Sequence, residues 1–79
     1  MLAVYRARNS TLRLFEKMER QGIRARIINT PRELSVGCGL SVEFLERDFN
    51  RVKNLITSVP TQGFAGIWRY DSGIFNRIY

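Results

Sequence analysis

The apolar residues of this chain change period from one segment to the next, and that alternation limits the folds open to it. Ala3, Tyr5 and Ala7 alternate with Leu2, Val4, Arg6 and Arg8, the period-two pattern of a strand running from Leu2 to Arg8. Asn9, Ser10 and Thr11 follow, a polar cluster able to cap a helix by accepting its orphan N–H groups. Leu12, Phe15 and Met18 then recur at spacings of three, with Leu14 on the same stripe. Gln21-Gly22 closes this helix, because glycine takes the left-handed conformation cheaply.

Ile23, Ala25 and Ile27 alternate with Arg24 and Arg26, a second strand that ends near Asn29 before the Thr30-Pro31 break. Leu40, Val42 and Phe44 alternate with Ser41 and Glu43 in a third strand. Asp48 is placed to cap a second helix carrying Phe49, Val52, Leu55, Ile56 and Val59 on one face, and Pro60 ends it. Phe64 to Tyr70 reads as a fourth strand. After the turn signal Asp71-Ser72-Gly73, Ile74 to Tyr79 folds back as a short fifth.

The order β-α-β-β-α-β predicts an α+β fold, a ferredoxin-like sandwich with two helices on one face of an antiparallel sheet. Right-handed crossovers leave few other arrangements. With 79 residues the chain is expected to form a single domain over 1–79, its core over 2–70 and a C-terminal extension over 71–79. A domain of this length buries only about 60–65% of its unfolded surface, so its core is thin and a second copy packed on the open face would help it.

The chain holds one cysteine, so no internal disulfide forms. Met1 to Arg6 is too short for a signal peptide's apolar stretch, and no run approaches the roughly 20 apolar residues that span a bilayer. These features predict a cytoplasmic, reducing setting without membrane attachment. The net charge is +6, and residues 1–32, with eight basic and two acidic side chains, carry all of it. Eleven of the thirteen basic residues are arginine, the side chain suited to bidentate contact with oxyanions. Such a face either solubilises the chain, meets an anionic partner, or makes a nearby thiol electropositively surrounded.

Cys38 is the chemically distinctive position. In the predicted topology the third strand starts where the first strand ends and the first helix begins, which brings Cys38 near Arg8, Asn9, Ser10 and Thr11. A helix N-terminus carries roughly half a positive charge and unpaired N–H donors, and both favour a thiolate. Gly37 and Gly39 leave the sulfur unshielded and expose N–H groups able to hold an anionic sulfur species. A lone cysteine is more often a small core filler. The glycine flanks and the loop position point instead to a reactive thiol, with Arg8 and Arg32 steadying it and Ser10 and Thr11 shaping the helix end.

Several chemistries are disfavoured. Without histidine the chain can build no Cys-His or Ser-His pair, and one thiol without imidazole is a poor zinc donor set. No cofactor, metal site or hydrolytic site is expected. Glu43, Glu46 and Asp48 cluster at a strand-to-helix junction, where they read as surface and cap.

The run Pro31-Arg-Glu-Leu-Ser-Val-Gly-Cys-Gly-Leu-Ser-Val42 resembles the hallmark of the selenium/sulfur carrier-like family of small bacterial proteins. The likeness extends over roughly residues 2 to 70, and its specific part is Ser35 with Cys38-Gly39. The resemblance implies a carrier whose cysteine, Cys38 here, holds sulfur or selenium as a persulfide or selenosulfide. A donor such as a cysteine desulfurase would load it and an acceptor enzyme would unload it, the protein acting as a stoichiometric carrier. The alternative is a small basic interaction module, a nucleic-acid binder or homodimeric adaptor, using the open sheet face with Arg6, Arg8, Trp68 and Tyr70. Against nucleic acid, Gln62 to Trp68 matches the RNA-recognition pattern only superficially. Gly66 fills the pattern's second aromatic position, and the segment follows the second helix where the true motif precedes it.

Overall fold

The computed structural model describes residues 1–34, 39–59 and 63–79. The first strand, β1, spans Leu2–Tyr5 and is buried on both faces, as a central strand must be. It pairs antiparallel with β3 (Leu40–Phe44) on one side and with β4 (Phe64–Asp71) on the other. β2 (Ala25–Asn29) lies outside β3, and β5 (Ile74–Arg77) lies outside β4. The sheet order is therefore β2-β3-β1-β4-β5, with every neighbouring pair antiparallel.

Two helices cover one face. Helix α1 (Arg8–Arg20) buries Ser10, Thr11, Leu14 and Met18, and α2 (Phe49–Ile56) buries Val52 and Ile56. These side chains pack with Ala3, Tyr5, Val42, Phe44 and Ile67 into one cluster. Each large apolar member contributes roughly 1.5–3 kcal/mol by leaving water. Arg51, in α2, donates from Nη2 to the Gln21 carbonyl at the end of α1 (2.7 Å), so the helices run in opposite directions. The other face carries a smaller cluster of Leu2, Val4, Leu34 and Ala65, flanked by Ile28, Trp68 and Phe75. No helix among the described residues is long and apolar enough to cross a membrane.

Several element boundaries differ from the sequence expectation. β1 stops at Tyr5 and does not reach Arg8, although the Arg6 amide still bonds the Gly63 carbonyl just ahead of β4 (2.6 Å). Helix α1 accordingly starts at Arg8, ahead of the polar cluster expected to cap it. The N-cap is Ala7, with no side-chain cap, and Ser10 and Thr11 are buried within the first turns. Ile23 belongs to the helix stop and not to β2. Its amide bonds Met18 O (2.9 Å) while the Gly22 amide bonds Glu19 O (3.1 Å), a Schellman closure with Gly22 at φ 71°. A 3₁₀ turn over Glu46–Asp48 leads into α2, and Asp48 makes no side-chain cap there. Helix α2 ends at Ile56, before the expected Pro60, yet Val59 beyond it is still buried. The fifth strand is present and joined to β4 through Ser72 and Gly73, both at positive φ (52° and 83°), as a tight hairpin requires.

Candidate functional site

The register assembles one pole of the molecule from separate stretches of sequence. Val4 lies opposite Ser41, and Leu40 lies opposite Asn29, so the end of β1, the end of β2 and the start of β3 come together. Helix α1 opens at the same end, since only Arg6 and Ala7 separate it from β1. Arg6 and Arg8 are exposed there, and the first turn of α1 contains no acidic residue to offset them. The amides of the first turn lack intrahelical acceptors, and the first intrahelical bond runs from the Thr11 amide to Ala7 O (3.2 Å). Guanidinium groups and the positive end of the helix dipole thus share this pole.

The end of β2 and the approach to β3 are pinned to each other. The Thr30 amide donates to the Gly39 carbonyl (2.9 Å), and the Thr30 and Ser41 hydroxyls are hydrogen-bonded (2.7 Å). After Pro31 a short 3₁₀ helix, Arg32–Leu34, drops Leu34 onto the sheet face opposite the helices, where it is 6% exposed. Arg32 stays exposed on that turn, next to Glu33. Gly39 returns the chain to β3 at φ 93°, a backbone conformation that side-chain-bearing residues resist.

Of the residues singled out from the sequence, Arg8, Ser10, Thr11, Arg32 and Gly39 all belong to this pole. Cys38, Gly37 and Ser35 lie outside the described residues. Ser10 and Thr11 differ from expectation in pointing inward: Thr11 is fully buried and its hydroxyl donates to Ala7 O (3.4 Å). They fix α1 to the sheet and do not line the helix mouth.

The alternative constellation on the open face is not brought together. Trp68 stands opposite Leu2, at the far end of β1 from Arg6, four residues or about 13 Å along a strand. Its indole donates to Ala65 O (3.1 Å), and its cross-strand neighbour is Arg77. Tyr70 lies two residues further away and packs edge-on against Phe75 (4.9 Å). Neither ring shares a surface with Arg6 and Arg8.

Two features escaped the sequence reading. Tyr5 is fully buried beneath the helices with its hydroxyl unpartnered among the described residues, its ring tilted against Phe64 (5.2 Å). Burial, with a smaller contribution from Tyr79, pushes its phenol up to about 12. Leu34 was the second, because a leucine in a polar loop gives no periodic signal. Among the described residues no group of three or more acidic, cysteine or histidine side chains is placed to hold a metal ion.

The fold defines a small α+β protein with a five-stranded antiparallel sheet, two helices on one face, and a basic pole where β1 ends and α1 begins. The family model described as "Putative Se/S carrier protein-like" matches residues 1–68, and the chain belongs to that family. No curated protein and no solved structure matches the chain.

Proposed function

We propose that this protein carries sulfur or selenium on Cys38, taking the atom from a donor protein and passing it to an acceptor enzyme. The family match carries this reading: residues 1–68 include the whole loop and the one cysteine able to hold the cargo. We read β1 to β4 as a ferredoxin-like arrangement extended by β5 along its edge. That arrangement sets Gly39, the residue after Cys38 in the sequence, at the pole with Arg6, Arg8 and Arg32.

The chemistry is thiol exchange. The Cys38 thiolate attacks the terminal sulfur of a donor persulfide, R–S–SH. The donor's S–S bond breaks, its thiolate leaves, and Cys38 keeps a new S–S bond to the transferred SH. With the corresponding R–S–SeH donor the product is a selenosulfide. An acceptor thiolate reverses the step, so no net oxidation occurs and the protein is consumed and regenerated stoichiometrically. Positive charge from Arg8 and Arg32 and the start of α1 favours the thiolate, while Gly37 and Gly39 keep bulk away from the sulfur. A reducing, cytoplasmic setting keeps the unloaded thiol free, and a cysteine desulfurase is the donor class of choice.

Intact-mass analysis tests the proposal directly. After incubation with a cysteine desulfurase and cysteine, the chain is expected to gain the mass of one sulfur atom, removable by a reductant and absent from Cys38→Ser. A series of desulfurases producing no such gain would refute it.

A further inference from the structure

The helix layer carries a second surface that the carrier chemistry does not use. Arg13, Lys17 and Arg20 recur at i, i+4 and i+7 along the flank of α1 that faces α2. With Glu16 and Ser58 they line an open groove of about 280 Å³. None of the three cations forms an ion pair among the described residues. The pairs present use Arg26 with Glu43, Arg51 with Asp48, and Arg69 with Glu46. Glu16, three residues after Arg13 and four before Arg20, is ion-paired with neither among the described residues, so the stripe contributes little to holding α1 together. Lys17 and Arg20 gain from the helix C-terminal dipole, but Arg13, in the middle of the helix, does not.

We propose that this groove docks an acidic surface of the protein that donates sulfur to Cys38, an inference that rests on the carrier reading. Charge complementarity names the occupant as anionic. Two observations favour a protein over a nucleic acid. Glu16 lies within the groove, where it would repel a continuous run of phosphates but can pair with a cation of a mixed protein surface. Leu12, one turn before Glu16, is 37% exposed and gives a protein partner an apolar contact among the charges. The position suits delivery. Arg13 is five residues, about 7.5 Å along the axis, from the start of α1 at the Gly39 pole, and Arg20 is about 18 Å away. The whole molecule measures 31 × 25 × 19 Å, so a partner patch of ordinary size, about 800 Å², spans both the groove and the pole.

The experiment compares loading of the full chain by two sulfur sources, followed by intact mass. One is a cysteine desulfurase with cysteine. The other is hydrogen disulfide, HSSH, which the Cys38 thiolate attacks to give Cys38–S–SH and release HS⁻. The expected result is that desulfurase-driven loading slows steeply with added salt, since charged contacts at an interface rim act through the encounter rate. In the Arg13→Gln, Lys17→Gln, Arg20→Gln variant the ratio of desulfurase-driven to disulfide-driven loading falls by about tenfold, whereas Arg47→Gln, an exposed cation on another surface, leaves it alone. Far-ultraviolet circular dichroism checks that the triple variant is folded. An unchanged ratio in the folded triple variant overturns the docking site, as does wild-type loading by disulfide without any by the desulfurase. Loading by neither source overturns the carrier reading itself, and the docking site with it.

Discussion

Tyr5 illustrates how a single side chain can be positioned against its own chemistry. Its ring fills the cluster beneath the helices, but its hydroxyl is sealed there without a partner among the described residues. An unmade hydrogen bond in a dry site costs about 1–3 kcal/mol, so Tyr5→Phe is expected to stabilise the protein by about 1 kcal/mol in urea denaturation at neutral pH. The phenol is raised from 10.0 to about 12, which favours the neutral form when folded. Its contribution to stability is complete below pH 10 and is lost as pH rises through 12, because the unfolded chain releases the proton first. Tyr5→Phe should therefore flatten the alkaline fall in stability over that window, and an equally steep fall would show that other groups cause it. Gly39 makes the complementary case. A Cβ there would meet nothing within 4 Å, so space is no obstacle, but φ is 93°. Gly39→Ala is expected to cost about 1–2 kcal/mol through backbone strain alone, measured as a lowered urea midpoint with an unchanged slope.

At the scale of elements, the periodic segments were legible and their junctions were not. Strands β2, β3 and β4 and both helices lie where alternation and the i, i+3, i+4 stripes put them, because burial of one face sets those patterns. The start of α1 was misread at Asn9 to Thr11. Three good capping residues stand there, but the helix is capped two residues earlier at Ala7, directly after the Arg6 amide makes its last contact with the β4 side at Gly63, a contact between distant parts of the chain. The separation of Trp68 from Arg6 was illegible for the same reason, since it depends on β4 register. For the candidate site, the glycines and arginines were visible as residue types. The anchor Leu34 was not, since a short 3₁₀ turn has no pattern of its own. Its role is testable: Leu34→Ala is expected to cost about 2 kcal/mol or more and to loosen the loop entry, read as faster amide exchange at Thr30 and Leu40. Unchanged exchange with lowered stability would mean that Leu34 serves only the open-face cluster.

For the molecule as a whole, the sheet gathers positive charge at one pole. A strand order with β1 between β3 and β4 collects the ends of β1 and β2, the mouth of α1 and the return to β3 at one pole, and arginine dominates the charge there. The carrier proposal requires the Cys38 sulfur to be both reachable and readily ionised. It is tested most directly by the alkylation rate of Cys38 with iodoacetamide at pH 7, a neutral reagent that a basic surface does not concentrate. The rate is compared between the native protein and the same chain unfolded in urea. The account predicts native alkylation faster by about tenfold, the gain from one unit of added thiolate preference. A native rate equal to or slower than the unfolded one would contradict it.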